Sequence, residues 1–228
     1  MKVVMACPTV ERPYACFLNS VENSVPLLDA AGLDHKITFE VGNPYISAAR
    51  ATMLRKALDT QPDAIVFLDH DLSWKPQDLL TLIETPGDVV AGTYRFKKEE
   101  EEYMGHTDCM PNGQVAGRKD GCLKAVNVPA GFLKVTRQAI NRFMAGYPEL
   151  VYGEPCNPSV DLFNHGAHKG VWYGEDYAFC RNWNDLGGEI WIVPDLDLDH
   201  HSKTAVFKGN FHKYLMKQAG ANDVKDAA

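Results

Sequence analysis

The octapeptide FLDHDLSW at 67–74 sets Asp69 and Asp71 two residues apart at the end of an apolar run. On an extended segment residues i and i+2 share a side, so both carboxylates can turn oxygen toward one hard cation such as Mg²⁺ or Mn²⁺. Like charges so close are tolerable when a cation lies against them. The plain alternative is an Asp-rich turn capping the next helix. A second acidic pair, Glu175 and Asp176, follows a glycine in WYGEDYAFCRNW at 172–183, at a predicted helix start. A carboxylate there can act as a general base, although acids in a first helical turn are also favoured by the helix dipole alone. A third cluster, PDLDLDHHS at 194–202, adds carboxylates and two adjacent histidines. Neighbouring side chains on a strand point to opposite faces, so only one of His200 and His201 is expected as a metal ligand.

These groups need a scaffold, and hydrophobic periodicity predicts one. KVVMAC (2–7) reads as a strand followed by a turn at Pro8 and Thr9, and residues 13–31 read as partly helical, with Pro26 breaking or kinking the helix. HKITFEV (35–41) is a second strand and residues 46–60 an amphipathic helix. DAIVFLD (63–69) is nearly continuously apolar, as a central parallel strand covered on both faces must be. Pro76 suits the first turn of a helix reaching Glu84, and DVVAGTYRF (88–96) is a further strand. Segments 97–121 and 147–170 read as loops and as candidate covers over a site. Between and after them come strands in CLKAVNVP and AGFLKVT, a helix in RQAINRFMAG, a helix near 175–186, the strand EIWIV and a terminal helix near 207–219. Alternation of this kind predicts an α/β sandwich in one domain, residues 1–220, with a polar, frayed tail at 221–228.

Composition narrows the function classes. The 228 residues are 45% hydrophobic with a formal charge of −7, which argues against broad binding of nucleic acid or anionic membranes. The opening MKVVMACPTV is too short for a secretory or spanning segment, and no later stretch is long and apolar enough to span a membrane. The six cysteines contain no CxxC pair and read as reduced thiols. A cytoplasmic setting is the resulting expectation. His106, Cys109 and Cys122 match no familiar zinc spacing and read as ordinary loop and core residues.

Taken in order, CPT after the first strand, ISAARATMLRKAL, FLDHDLSW, VVAGTYRFK, VPAGFLKVTRQAI and GEDYAFCRNWNDLGGEIWIVPDLDLDHHS resemble the GT-A family of nucleotide-sugar-dependent glycosyltransferases, particularly small bacterial and viral members carrying a DxD motif. The resemblance implies an α/β/α sandwich with a mixed, mainly parallel sheet. It implies transfer of a sugar from a nucleoside-diphosphate sugar, UDP- or GDP-linked, to a hydroxyl of a glycan or other acceptor, with Mn²⁺ or Mg²⁺ as cofactor. By the same resemblance, Asp71 with Asp69 would hold the metal and the ribose-diphosphate, Asp69 facing ribose or a bridging water. The late metal histidine would be His200, with His201 as the alternative. Pro8 and Thr9 would line the nucleotide, and Arg50 would approach it or its phosphates. Asp176 would be the base of an inverting displacement, with Glu175 as a substrate contact or alternative base. The VPAGF stretch and Trp172 would line the sugar and acceptor side; for Trp172, plain core packing is the competing reading.

Two other classes fit parts of the pattern. In a phosphohydrolase of the haloacid dehalogenase type, Asp69 would be the nucleophile and Asp71 the acid/base, but that motif normally lies near the chain start and here two strands precede it. A non-catalytic nucleotide-sugar or glycan-binding module would keep Asp71 and have no need of Asp176.

Overall fold

Five apolar residues in a row can be buried only if both faces of their strand are covered. In the computed structural model Ala64–Leu68 is buried along its whole length. The structure describes residues 1–110 and 114–226, with side chains as far as 219.

The chain runs β1 (Lys2–Thr9), α1 (Ala15–Ala30), β2 (Asp34–Val41), α2 (Ile46–Leu58), β3 (Ala64–Leu68), β4 (Leu72–Trp74), α3 (Pro76–Glu84) and β5 (Val89–Ala91). Next come β6 (His106–Thr107), β7 (Leu123–Asn127), β8 (Phe132–Thr136) and α4 (Arg137–Gly146). After a 3-10 turn at Pro148–Leu150 follow β9 (Val151–Glu154), β10 (Asn157–Val160), β11 (Gly166–His168) and β12 (Val171–Tyr173). The last elements are α5 (Glu175–Asp185), β13 (Ile190–Ile192), β14 (Leu198–His201), β15 (Val206–Phe207) and α6 (Phe211–Asp226).

The central sheet has the order β2-β1-β3-β8-β5-β13-β7-β6. β1 is parallel to β2 and β3, and β5 is parallel to β13, whereas β8 and β7 run against their neighbours. The result is a mixed sheet in which most strands share one direction. Alternate side chains feed two cores. Val4, Ala6, Ile65 and Phe67 pack with residues of α2, α4 and α5 on one face, while Val3, Met5, Val66 and Leu68 pack with residues of α1 and α3 on the other. This is the expected three-layer sandwich, and period-two alternation is its physical basis.

The structure corrects several local expectations. Pro8 and Thr9 are the last residues of β1, each in register with β2, and not a turn. Helix α1 continues through Pro26, anchored on both sides by buried Phe17, Val21 and Leu28, so the loss of one backbone donor does not end it. The strand expected at 88–96 stops at Ala91, because the chain then folds back so that Met104 N donates to Tyr94 O and Phe96 N to Glu102 O. Residues 147–170 are not a simple loop; they carry the antiparallel pair β9–β10, β11 and the start of the β11–β12 hairpin. The 97–121 excursion contains β6, and its residues 111–113 lie outside the described ones, as do 227–228 and all side chains of the tail expected at 221–228. His106 bonds Asn127 and Cys122 is buried, in keeping with their reading as ordinary loop and core residues. Among the described residues no helix is long and apolar enough to cross a membrane.

The most consequential surprise is small. Strand β4, three residues long and directly after Asp71, pairs antiparallel with β14 in the register Leu198↔Trp74, Asp199↔Ser73 and His200↔Leu72.

Candidate functional site

β3 ends at the carboxyl edge of the sheet, and Asp69 is the first residue beyond it. Its backbone N–H donates to Gly131 O at 2.9 Å. Each oxygen of its side chain has a partner: Oδ1 accepts from Arg50 Nη2 at 2.7 Å and Oδ2 from the Tyr94 hydroxyl at 3.3 Å. A Cβ on Gly131 would overlap both the Tyr94 hydroxyl and the Asp69 carboxylate, so this glycine of VPAGF supports Asp69 from beneath.

Arg50 lies on α2, against the end of β3. Only 2% of it is exposed, and its second amino group donates to Glu175 Oε1 at 2.6 Å. Its guanidinium lies over the Phe163 ring at 5.3 Å. Arg50 therefore clamps α5 to the end of β3 through two carboxylates, and both terminal nitrogens are already occupied. It also borders the cleft.

Asp71 lies in the tight turn between β3 and β4, closed by Leu72 N donating to Asp69 O at 3.2 Å, and not on the extended segment expected from the sequence. Its Oδ2 accepts from Lys97 Nζ and lies 3.6 Å from His200 Nε2. Burial raises the Asp71 carboxyl, but the His200 imidazole and the Lys97 ammonium at its edge outweigh this and hold it well below the ordinary carboxylate range. His200 Nδ1 is 2.7 Å from Arg95 O. A carbonyl can only accept, so Nδ1 carries a proton, which leaves Nε2 as the ring nitrogen on the Asp71 side. His201 turns to the opposite side, where its Nε2 meets Ser73 Oγ at 2.7 Å, while its backbone N–H donates to Asp71 O at 2.8 Å. The β4–β14 pairing thus brings the ring of His200, not that of His201, to the Asp71 carboxylate.

Asp176, in the first turn of α5, is pushed up to about 6 by burial and by the neighbouring charge of Glu175. Its Oδ1 accepts from Tyr177 N at 2.8 Å. His70, between the two aspartates, packs its ring on Tyr14 at 5.6 Å. Trp172 is 70% exposed, which removes the core-packing reading.

Pro8, Thr9, Arg50, Asp69, Asp71 and Glu175 all border a cavity of about 190 Å³ outside the carboxyl ends of β1 and β3, where open α/β sheets bind ligands. A second cavity of about 250 Å³ shares Ile46 and Glu175 with the first and carries the exposed rings of Tyr45 and Trp172. Spacing alone did not single out Tyr45, Tyr94, Lys97 or Gly131. Tyr94, Lys97 and Gly131 lie inside stretches that carry the family resemblance, but nothing local marks them as neighbours of Asp69 or Asp71.

Among the described residues no three His, Cys, Asp or Glu side chains converge into a ready-made metal cage. The Asp71–His200 pair nevertheless fits a divalent ion of the Mn²⁺ type. It offers one carboxylate oxygen and one imidazole nitrogen on the same side, with the far ring nitrogen bonded to a carbonyl, as metal-binding histidines usually are. Asp69, whose oxygens accept from Arg50 and Tyr94, borders the same cleft and keeps about a quarter of its side chain exposed.

No protein-family model matches the chain, and no curated protein does. Among solved structures it is similar to GalNAc-T7 with UDP, GalNAc and Mn²⁺, at 10% identity and a TM-score of 0.48, over 87% of this chain and 43% of that one. It is also similar to a mutant Drosophila β-1,4-galactosyltransferase 7 in complex with manganese, UDP-Gal and xylobiose, at 14% identity and a TM-score of 0.46, over 92% of this chain and 73% of that one. The chain thus spans under half the length of the first of these. Likeness of this degree concerns the general course of the chain, and chemistry must be argued from the residues themselves.

Proposed function

We propose that the chain is a metal-dependent glycosyltransferase of the GT-A type, moving a sugar from a nucleoside-diphosphate sugar to an acceptor hydroxyl with inversion. The observation that carries this reading is the Asp71–His200 pair, whose imidazole tautomer is set by Arg95 O beside a cleft at the sheet's carboxyl edge. Asp71 and His200 would hold the Mn²⁺ or Mg²⁺, which when bound neutralises the charge that develops on the departing diphosphate. Pro8 and Thr9 form the wall for the nucleoside, UDP- or GDP-linked.

Asp69 supports the site from within: held by Arg50, Tyr94 and Gly131, it fixes the course of the backbone leading to Asp71 and faces ribose or a bridging water. Asp176 takes the proton of the acceptor hydroxyl as that oxygen attacks. A carboxylate raised to about 6 is mostly ionised at neutral pH yet more basic than a free aspartate, which suits the task. Glu175 is a positioning residue, since its charge is committed to Arg50 and it helps raise Asp176. The exposed rings of Trp172 and Tyr45 beside the second cavity offer apolar faces for a glycan acceptor.

The phosphohydrolase reading is disfavoured by Asp69 itself. Its oxygens are bonded to the Arg50 guanidinium and the Tyr94 hydroxyl, which lowers the nucleophilicity of the carboxylate.

The test is calorimetric titration of the protein with UDP, GDP, dTDP and CDP, each with Mn²⁺ and with EDTA, repeated on Asp71→Ala. One diphosphate should bind with Mn²⁺ alone and be lost in the variant. Binding of none withdraws the assignment.

A further inference from the structure

Lys97 donates to the same Asp71 oxygen that faces His200 Nε2. Its place there is built. Phe96 N closes the loop onto Glu102 O at 3.0 Å, and the Arg95 guanidinium donates to the carbonyls of Lys98 and Glu99 at 3.3 and 2.9 Å. The Arg95 carbonyl is also the group that orients His200. One short segment therefore sets the histidine's tautomer and, two residues on, places an ammonium on the carboxylate. The Lys97 side chain is 35% exposed, so it has room to swing away, whereas Asp71 at 16% cannot escape to solvent.

We propose that Lys97 is a built-in counter-ion for Asp71 that competes with the divalent ion, so that metal binding is an exchange of ammonium for metal at Oδ2. The physical reason is that a largely buried carboxylate is costly without a positive partner. Lys97 supplies one in the absence of metal, and a doubly charged ion with an imidazole nitrogen and a carboxylate to bind displaces it. The inference rests on the metal reading above and goes beyond it in assigning Lys97 a role.

The test is Mn²⁺ binding alone, followed by electron paramagnetic resonance, on the full chain and on Lys97→Met, Lys97→Gln, Asp71→Asn and the Lys97→Met/Asp71→Asn double variant. Circular dichroism identifies the lysine variant that keeps its fold. The expected result is Mn²⁺ binding about tenfold tighter without the lysine, with no such gain when Asp71 is also replaced. Equal or weaker binding in the folded lysine variant overturns the exchange while leaving the metal site standing. Absence of Mn²⁺ binding in every protein, the unaltered chain included, overturns both the exchange and the metal reading.

Discussion

His200 Nε2 lies 3.6 Å from Asp71 Oδ2, too far for a hydrogen bond, while the other nitrogen of the same ring is 2.7 Å from Arg95 O. The imidazole is held by the carbonyl and not by the aspartate. Nε2 and Oδ2 are the two atoms proposed to hold the ion, while His201 lies on the far side of the strand.

The two adjacent histidines should therefore behave differently. His200→Ala is expected to weaken Mn²⁺ binding by at least about tenfold, whereas His201→Ala should change it by less than about twofold and cost about 1 kcal/mol of stability through the lost Ser73 contact. Mn²⁺ titration and a urea midpoint on each variant separate the two; the reverse ranking would mean that β14 pairs in another register.

Asp176 ties stability and activity in opposite directions. Its folded value of about 6 exceeds the ordinary 3.8, so the native state holds this proton more readily than the unfolded chain does. The associated stability is fully present below about pH 4 and is lost as pH rises through about 6. Asp176→Asn, which keeps the acceptor for Tyr177 N, should thus raise stability at neutral pH by about 1–3 kcal/mol, a gain that fades toward pH 4. The same variant should lower kcat by about 10²–10⁴-fold with diphosphate affinity unchanged, and wild-type kcat/KM should rise with pH through about 6. Undiminished kcat would remove Asp176 from the chemistry and favour a binding module.

Removal of Arg50 leaves Glu175 without its cation and Asp69 with only the Tyr94 hydroxyl. Because each carboxylate keeps about a quarter of its exposure, at 27% and 23%, Arg50→Met should cost near the lower end of the usual 3–5 kcal/mol, about 3 kcal/mol in a denaturant titration. Arg50→Lys should rescue little, since one ammonium cannot reproduce two separate guanidinium contacts. A loss below about 0.5 kcal/mol would show that water replaces the clamp.

Gly131→Ala places a methyl group against the Asp69 carboxylate and the Tyr94 hydroxyl. Overpacking of this kind costs about 1–3 kcal/mol, and the displaced Asp69 should carry the Asp71 backbone with it. The expected outcome is weaker Mn²⁺-dependent diphosphate binding in a protein that still folds. Unaltered binding would uncouple Asp69 from the cleft.

Much of the scaffold was legible because its signals are local. Continuous burial of Ala64–Leu68, alternation in β2 and the apolar stripe of α2 each follow from a period that any window of the chain displays, and together they put Asp69 and Asp71 at the carboxyl edge of a sheet. The acidic start of α5 was readable for the same reason. Pro26 misled because tertiary packing on Phe17 and Leu28 outweighs one missing hydrogen bond, a balance no local window reveals.

The sequence by itself determined which residue types were available and on which kind of element each would sit. Their division of labour was settled only in the tertiary structure. Arg50 could not be known to turn inward until α5 brought Glu175 to it across 125 residues, nor Lys97 to rest on Asp71 until the chain after β5 folded back. The choice between His200 and His201 depended on the register of β14 against three residues of β4, and a shift of one position would have exchanged their faces. A register is a property of two strands in contact, so neither strand's sequence contains it alone.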